Sequence, residues 1–332
     1  MTVRSIEDKS METECITGLP DRPVAVVGAG LTGASWAALF SAHGRCVRVH
    51  DHDPAKLETA RERIHQYAAF LKKRSFIDPG RAQSGLDALE FCRDLSAAVE
   101  DAVFIQECAY ETYDAKQEVF RMIDRVASPE AIIATSSSGL SISRIQTAAR
   151  YPERCLAGHP YNPPHLIPLV EVAPGEKTSP AAIHAAKIFY ESMGKCPVVL
   201  KRDIPGYLAN RMSAALWREA INLVLDGVAS VEDVDRAVSL GPGLRWAVMG
   251  PHLIYHLGGG KGGIRYHMDH LAGTKEAILN DLNDWKTFPP NTAEALAAGL
   301  PHPEAAEALC SERDEKLAGI LRALEDYDRN LT

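Results

Sequence analysis

The sequence predicts a doubly wound α/β domain followed by an all-helical domain. Two observations carry this prediction. Short apolar runs of strand length alternate with amphipathic, helix-length segments up to about residue 200, and beyond that point only the helical spacing remains. The change falls at Asp203-Ile204-Pro205-Gly206, so we expect an N-terminal arm over residues 1–20, an α/β domain over 21–203 and a helical domain over 204–332.

The elements of the first domain follow from these patterns in chain order. The strands are β-branched runs bounded by turn residues, expected at 24–27, 46–50, 89–91, 103–106, 131–134, 155–157, 169–172 and 197–200. The helices repeat apolar residues at helical spacing and are expected at 31–43, 54–73, 114–126 and 180–193. The same spacing predicts helices at 208–228 and 231–238, within a bundle to about residue 327 that the glycine-rich stretch 258–263 interrupts.

Composition excludes several classes of protein. The 332 residues are 46% hydrophobic and 24% charged, as in ordinary globular proteins, and the net charge of −8 comes without the basic stripe that nucleic acid requires. The N-terminal residues are acidic and lack a signal-peptide core, and no apolar run is long enough to cross a membrane, so we expect a cytoplasmic protein. The seven cysteines form no Cys-x-x-C pair and the HExxH glutamate is absent, so neither a disulfide framework nor a metal site is expected.

A glycine-rich turn follows the first predicted strand. Gly28-Ala29-Gly30-Leu31-Thr32-Gly33 lies between that strand and a helix, the context in which such a turn binds the pyrophosphate of a dinucleotide. Gly28 permits the tight turn, Gly30 leaves room for the pyrophosphate and Gly33 lets helix and strand pack closely. The sequence therefore predicts a Rossmann-like, dinucleotide-binding domain.

An acid at the end of the second strand favours NAD as the cofactor. Asp51 is placed to accept hydrogen bonds from the adenosine ribose and to repel a 2′-phosphate. Arg45 and Arg48 lie close by in sequence and leave NADP open. Asp51 or its neighbour Asp53 could instead cap the next helix.

A histidine and a glutamate suggest the chemistry. His159 lies in Gly158-His159-Pro160-Tyr161-Asn162-Pro163, just beyond a predicted strand, and Glu171 lies at the end of the next strand. A histidine held by a carboxylate can remove a hydroxyl proton near neutral pH while a nicotinamide takes the hydride. The pair predicts an alcohol dehydrogenase; a structural histidine beside prolines is the alternative.

Several motifs, in order along the chain, resemble one family. They are Gly28-x-Gly30-x-x-Gly33, Phe104-Ile105-Gln106-Glu107, Ser136-Ser137-Ser138-Gly139-Leu140, Gly158-His159-Pro160-Tyr161-Asn162-Pro163, Pro205-Gly206-Tyr207-Leu208-Ala209-Asn210-Arg211 and Gly243-Leu244-Arg245-Trp246. From about residue 23 to about residue 270 the chain resembles the L-3-hydroxyacyl-CoA dehydrogenase superfamily, and most closely its small-substrate branch of carnitine dehydrogenases, L-gulonate dehydrogenases and lambda-crystallin.

The resemblance implies roles for particular residues. His159 would be the general base and Glu171 its partner, while Ser138 and Asn210 would hydrogen-bond near the reacting oxygen. A second pair, Glu107 and Lys116, matches positions near the bound nicotinamide. The resemblance also implies a homodimer.

A residue pair in the second domain suggests how the substrate is held. Arg245 offers a bidentate fork for a free carboxylate, and an inter-domain or dimer salt bridge is the alternative. Trp246 and Tyr255 could face a quaternary ammonium, although a core or dimer contact is the more ordinary use of such rings.

These expectations describe an NAD-dependent dehydrogenase of a small L-3-hydroxy acid. The branch resemblance favours oxidation of L-carnitine to 3-dehydrocarnitine. L-gulonate, another 3-hydroxycarboxylate or a 3-hydroxyacyl-CoA ester are alternative substrates. A protein that binds NAD without catalysis, as the crystallin relative suggests, is the alternative from a different class.

Overall fold

The structure, a computed structural model, describes residues 22–329, and the arm expected over residues 1–20 lies outside them. Contacts divide the chain into two compact units, Met1–Arg211 and Met212–Thr332. The boundary placed at residue 203 from the sequence lies shortly before this division.

One sheet of eight strands forms the frame of the first unit. The strands are β1 (Val24–Val27), β2 (Val47–His50), β3 (Leu89–Cys92), β4 (Phe104–Glu107), β5 (Ile132–Thr135), β6 (Cys155–Pro160), β7 (Leu169–Pro174) and β8 (Cys196–Val199). Their order across the sheet is β3-β2-β1-β4-β5-β6-β7-β8. Neighbours pair in parallel except β6 and β7, which pair antiparallel.

Helices connect these strands. They are α1 (Leu31–Ala42), α2 (Pro54–Lys73), α3 (Pro79–Asp87), α4 (Leu95–Val99), α5 (Tyr113–Val126), α6 (Ile142–Ile145) and α7 (Pro180–Ser192). The sequence patterns did not predict α3, α4 and α6, which are too short to show a full apolar stripe. Each of these helices begins at a side-chain N-cap, since Asp78, Asp94 and Ser141 accept a hydrogen bond from a backbone N–H in the first turn of their helix.

The antiparallel pair places two candidate site residues opposite each other. Only residues 161–168 connect β6 to β7, whereas a parallel pair needs a crossover of roughly a dozen residues or more, usually through a helix. The chain therefore turns back on itself. In the resulting register His159 faces Glu171 directly.

The sheet separates two hydrophobic cores. Successive β1 residues point to opposite faces, so Val24 and Val26 enter one core while Ala25 and Val27 enter the other. The first core is covered by α1, α2 and α7, and the second by α4, α5 and α6. The predicted doubly wound fold is confirmed, with both faces of the sheet covered.

The regular elements of the second unit are all helices within its described residues. Its helices are α8 (Ala209–Leu225), which begins just before the division, α9 (Val231–Leu240), α10 (Pro242–Val248), α11 (Pro251–Gly258), α12 (Gly263–Asp281), α13 (Thr292–Ala297) and α14 (Ala306–Arg329). α11 packs against α12, and the predicted glycine-rich interruption separates them. Across the described part of the chain, no helix combines the length and apolar character needed to span a membrane.

Candidate active site

The glycine-rich turn joins β1 to α1 with little space around two of its glycines. Gly28 has φ +108°, and a Cβ placed on it would lie 2.5 Å from the Cys108 carbonyl oxygen. A Cβ on Gly33 would lie 1.9 Å from the Gly28 carbonyl oxygen. Gly30 has no atom within 4 Å of such a Cβ, so the backbone there is open. This is the difference expected between packing glycines and a glycine that a pyrophosphate approaches.

The start of α1 leaves its backbone N–H groups available to an anion. Leu31 and Thr32 form its first turn, and Gly30 supplies no side chain to cap it. A helix N-terminus with free N–H groups attracts a phosphate. The turn residues therefore fit the diphosphate of a dinucleotide.

Asp51, immediately after β2, contacts the backbone of this turn. Its carboxylate accepts hydrogen bonds from Ala29 N and Asp53 N, both at 3.0 Å. Asp53, not Asp51, caps α2, because its side chain accepts from Ala55 N. Asp51 also lines a cavity of about 580 Å³ together with Gly28, Gly30 and Tyr110.

The two arginines that left NADP open are engaged elsewhere. Arg45 is buried and donates to the Arg22 carbonyl oxygen. Arg48 forms ion pairs with Glu90 and Asp101. Neither arginine lines the cavity beside Asp51, whose walls include His52 and Lys56, and the Asp51 carboxylate there would repel a 2′-phosphate, as expected of a site for NAD.

His159 and Glu171 form a buried pair at the centre of the candidate site. His159 Nδ1 lies 2.9 Å from Glu171 Oε2, and both side chains are almost fully buried. The expectation that His159 lies beyond its strand is wrong, because β6 continues to Pro160. Glu171 likewise lies within β7 and not at its end. The contact thus comes from cross-strand register, which brings directly opposed side chains together.

The second carboxylate oxygen of Glu171 is also occupied. Oε1 accepts hydrogen bonds from Leu208 N at 2.7 Å and Ala209 N at 2.9 Å. Burial by itself would raise the pKa of Glu171, but the hydrogen bonds from His159, Ala209 and Leu208 outweigh it and hold the pKa below its usual range. Glu171 is therefore a carboxylate at neutral pH and accepts the Nδ1 proton of His159, which leaves Nε2 as the basic nitrogen.

Ser138 and Asn210 are brought together by the fold. Ser138 lies in the loop after β5, and Asn210 lies in the first turn of α8. Asn210 Nδ2 donates to the Ser138 carbonyl oxygen at 3.3 Å. The two residues predicted to contact the reacting oxygen are thus neighbours, although they stand 72 positions apart in sequence.

Glu107 and Lys116 pair with each other in the interior. Lys116 Nζ lies 2.9 Å from Glu107 Oε1, and neither side chain is appreciably exposed. Burial would lower the pKa of Lys116, but the charge and hydrogen bond of Glu107 raise it above its usual range. Glu107 also accepts from Thr135 Oγ1 and Ala109 N, each at 2.5 Å. These two residues brace the loop after β4.

Glu111, which no sequence motif singled out, holds the loop that carries Ser138. Glu111 Oε1 accepts from Ser137 Oγ at 2.6 Å, Ser138 N at 2.8 Å and Gly139 N at 3.2 Å. Its Oε2 lies 3.3 Å from Lys116 Nζ. Burial opposes the negative charge, yet these hydrogen bonds and Lys116 keep the pKa of Glu111 lowered. Its position between β4 and α5, at the carboxyl edge of the sheet, was the available signal.

Arg245 and Trp246 lie on α10 in the second unit. Arg245 borders a cavity of about 390 Å³ whose other walls include Val248, Ile254 and Leu257. Trp246 is 44% exposed. Tyr255 on α11 already has a cation near its ring, because Lys275 Nζ lies 5.5 Å from the ring centroid.

The fold and the site together define a class of protein. A Rossmann-type sheet, a glycine-rich turn with an acid at the end of β2, and a buried histidine–carboxylate pair are the components of a nicotinamide-dependent dehydrogenase. Residues 23–204 match the model of the 3-hydroxyacyl-CoA dehydrogenase NAD-binding domain, and residues 206–298 match that of the 3-hydroxyacyl-CoA dehydrogenase C-terminal domain. The chain belongs to the 3-hydroxyacyl-CoA dehydrogenase family, and the predicted NAD-dependent dehydrogenase class is confirmed.

L-carnitine dehydrogenases from several bacteria are similar to most of the chain. The L-carnitine dehydrogenase of Streptomyces coelicolor is 39% identical over 307 residues, which are 91% of this chain and 94% of that protein. The L-carnitine dehydrogenase of Pseudomonas putida is 42% identical over 75% of this chain and 76% of its own. Among solved structures, the NAD⁺-dependent dismutase 5-formyl-3-hydroxy-2-methylpyridine 4-carboxylic acid 5-dehydrogenase aligns with a TM-score of 0.83 at 33% identity, covering 92% of this chain and 98% of its own.

Proposed function

We propose that this protein oxidises L-carnitine to 3-dehydrocarnitine with NAD. The buried His159–Glu171 pair, 2.9 Å apart, carries the proposal for the reaction. The names of the relatives at 39% and 42% identity support the choice of substrate. L-gulonate remains the second candidate from the sequence, and the experiment below separates the two.

The residues of the first unit have defined tasks in this scheme. The glycine-rich turn, α1 and Asp51 would hold NAD, which supplies a nicotinamide that accepts the hydride from the carbinol carbon. His159 Nε2 takes the hydroxyl proton, since Nδ1 donates to Glu171. Glu171 stabilises the imidazolium that results. Ser138 and Asn210 hydrogen-bond the reacting oxygen and keep it in line with His159.

Arg245 is our candidate for the substrate carboxylate. A guanidinium at the edge of an otherwise apolar cavity is a strong site for such a group. Arg245→Met should raise the KM for L-carnitine by at least about tenfold, the value of one charge-assisted hydrogen bond, while the KM for NAD stays near that of the wild type. Trp246→Leu tests in the same assay whether the neighbouring ring contributes to ammonium binding. An unchanged KM in Arg245→Met would remove Arg245 from the site.

The experiment that tests the function is a parallel set of initial rates. NAD reduction by purified protein is followed at mildly alkaline pH with L-carnitine, D-carnitine, L-gulonate and L-3-hydroxybutyrate, with His159→Ala as the control. We expect selective turnover of L-carnitine that is lost in the variant. Turnover of L-gulonate instead would move the protein to the sugar-acid branch. If none of the four acids is oxidised but acetoacetyl-CoA is reduced, the protein acts on CoA thioesters. If NADH binds but no substrate is turned over, the protein has a non-catalytic role.

We also propose that the protein is a cytoplasmic homodimer. In the second unit, large apolar side chains stand at least half exposed, which is unusual for a lone monomer; they include Leu244, Val248, Leu253, Leu257, Met268 and Leu279. Light scattering after gel filtration should give twice the monomer mass, and a monomer mass at micromolar concentration would contradict the dimer. The cysteines of the described residues are all free, which supports a reducing compartment.

A further inference from the structure

A tight turn before α8 adopts an unusual backbone conformation. Tyr207 N donates to the Ile204 carbonyl oxygen at 3.2 Å, with Pro205 and Gly206 at the central positions of the turn. Gly206 has φ +74°, and Tyr207, although not a glycine, has φ +49°. Residues other than glycine rarely adopt this left-handed backbone conformation, and those that do are concentrated at functional sites. We call residues 204–209 the α8 turn.

The backbone of the α8 turn is directed at Glu171. The N–H groups of Leu208 and Ala209, which follow the two left-handed residues, both donate to Glu171 Oε1. The other oxygen of Glu171 accepts from His159. The carboxylate is thus fixed from two sides, and its orientation sets the tautomer and ring direction of the histidine.

The side chain of the same turn packs on the histidine itself. The rings of Tyr207 and His159 have centroids 5.1 Å apart and planes inclined at 32°. Tyr207 is 1% exposed, and its hydroxyl hydrogen-bonds to no residue within the described part of the chain. Burial first, and then the charge of Asp203, raise the pKa of this hydroxyl above its usual range, so it stays neutral. The aromatic face of Tyr207 is therefore the part that acts on His159.

We propose that the α8 turn is a positioning element for the His159–Glu171 pair. Its N–H groups hold the carboxylate, and the ring of Tyr207 holds the imidazole. The proposal rests on the proposed function in one respect, namely that His159 is the base of the reaction. The turn should then affect kcat far more than the KM for NAD, because its contacts are with the pair.

Four substitutions separate this role from a general effect on folding. Tyr207→Leu removes the aromatic face, and Tyr207→Phe keeps it. Gly206→Ala disturbs only the backbone, since the nearest atom to the new Cβ would be Arg211 Cγ at 3.4 Å. Gly227→Ala is the matched control, because Gly227 has φ +69° with nothing within 4 Å and lies in the second unit.

We expect Tyr207→Leu and Gly206→Ala to lower kcat with the best substrate about 10- to 100-fold, the effect of a small misplacement of a catalytic group. The KM for NAD should change less than about twofold, a shift too small to reflect a lost hydrogen bond. Tyr207→Phe should restore most of the kcat lost in Tyr207→Leu, and Gly227→Ala should match the wild type. Equal kcat values for Tyr207→Leu and Tyr207→Phe would overturn the role of the ring, and equal losses in Gly206→Ala and Gly227→Ala would overturn that of the backbone.

A second readout does not depend on turnover. The hydrogen-bonded Nδ1 proton of His159 should give a far-downfield resonance in the proton NMR spectrum, assigned by its absence in His159→Ala. We expect exchange with water to remove it in Tyr207→Leu and Gly206→Ala but not in Tyr207→Phe or Gly227→Ala. If the His159 Nδ1 resonance persists in all four variants, the proposal is overturned. An inactive wild type that shows the expected NMR pattern would contradict the proposed function and leave the role of the turn intact.

Discussion

At the scale of residues, the candidate site is a set of carboxylates with every oxygen engaged. Glu171 is shared between His159 and the start of α8, and Glu111 between Lys116 and the loop of Ser138. Glu171 is buried and Glu111 is partly exposed, but in both the hydrogen bonds and ion pairs fix the orientation of the carboxylate. Glu171 therefore fixes the position of His159, and Glu111 fixes the position of the loop that carries Ser138.

The charge of Glu171 should be needed for catalysis. In Glu171→Gln the amide could no longer accept from His159 and two backbone N–H groups together, and it would not stabilise an imidazolium. We expect kcat to fall by about 10²- to 10⁴-fold, the contribution of a general base. The assay is steady-state oxidation of the best substrate, with NADH binding by fluorescence as the control. A kcat within twofold of the wild type would show that Glu171 has no catalytic part.

Glu111 should matter through the loop it holds. Glu111→Gln replaces the charge that accepts from Ser137, Ser138 and Gly139. Hydrogen bonds to a charged group contribute roughly 1.5–3 kcal/mol, so we expect kcat/KM for the substrate to fall by about one to two orders of magnitude. Glu130→Gln, at an exposed position, is the matched charge-removal control. Equal effects of both substitutions would exclude a specific role for Glu111.

At the scale of elements, the six-residue turn from β1 to α1 contains one glycine required for close packing and another whose surroundings are open to a ligand. Gly33 faces the Gly28 carbonyl oxygen, while Gly30 faces open space. The helix can lie close to the strand only because residue 33 has no Cβ. A single motif thus contains glycines needed for different reasons.

The two glycines should give opposite results when replaced by alanine. Gly33→Ala places a Cβ 1.9 Å from a backbone oxygen and should lower the melting temperature or prevent folding. Gly30→Ala meets no neighbouring atom and has φ −73°, so stability should be near that of the wild type while NADH binding weakens. Thermal melts and NADH titrations on both variants test this. Wild-type NADH affinity in Gly30→Ala would show that the pyrophosphate does not approach that residue.

At the scale of the whole molecule, a buried lysine makes stability depend on pH. Lys195, between α7 and β8, donates to the carbonyl oxygens of Pro164 and Ile167 and lies 5.1 Å from the ring centroid of Trp36. Burial lowers its pKa from 10.5 to about 7. Between these values the unfolded chain binds the proton more strongly than the folded chain does, so folding becomes more favourable as pH rises.

The free energy of unfolding should therefore contain a contribution that grows between about pH 7 and pH 9, by at most about 1.4 kcal/mol per pH unit. Lys195→Met removes the titrating group. We expect the difference in melting temperature between wild type and variant to increase in favour of the wild type over this range. A difference that stays constant with pH would show that Lys195 keeps an ordinary pKa in the folded protein.

The sequence by itself determined the fold class, the cofactor turn and the identity of the principal candidate residues. Strand runs, helical spacing and the Gly28–Gly33 motif are local signals, because each depends on neighbours along the chain. His159 and Glu171 were recognisable as candidate residues from their types and their neighbours along the chain, although both lie within their strands and not at the strand ends. The short helices α3, α4 and α6 escaped because four to nine residues are too few for a periodic pattern.

Only the tertiary structure decided how these residues meet. The antiparallel return of β7 sets His159 opposite Glu171, and the left-handed turn at Gly206 and Tyr207 brings two N–H groups onto the same carboxylate. It also showed that the side chain of Glu111 holds the loop of Ser138 through hydrogen bonds from Ser137, Ser138 and Gly139. Such contacts join residues far apart in sequence, and their geometry depends on strand register and backbone direction, which no local pattern of residue types specifies.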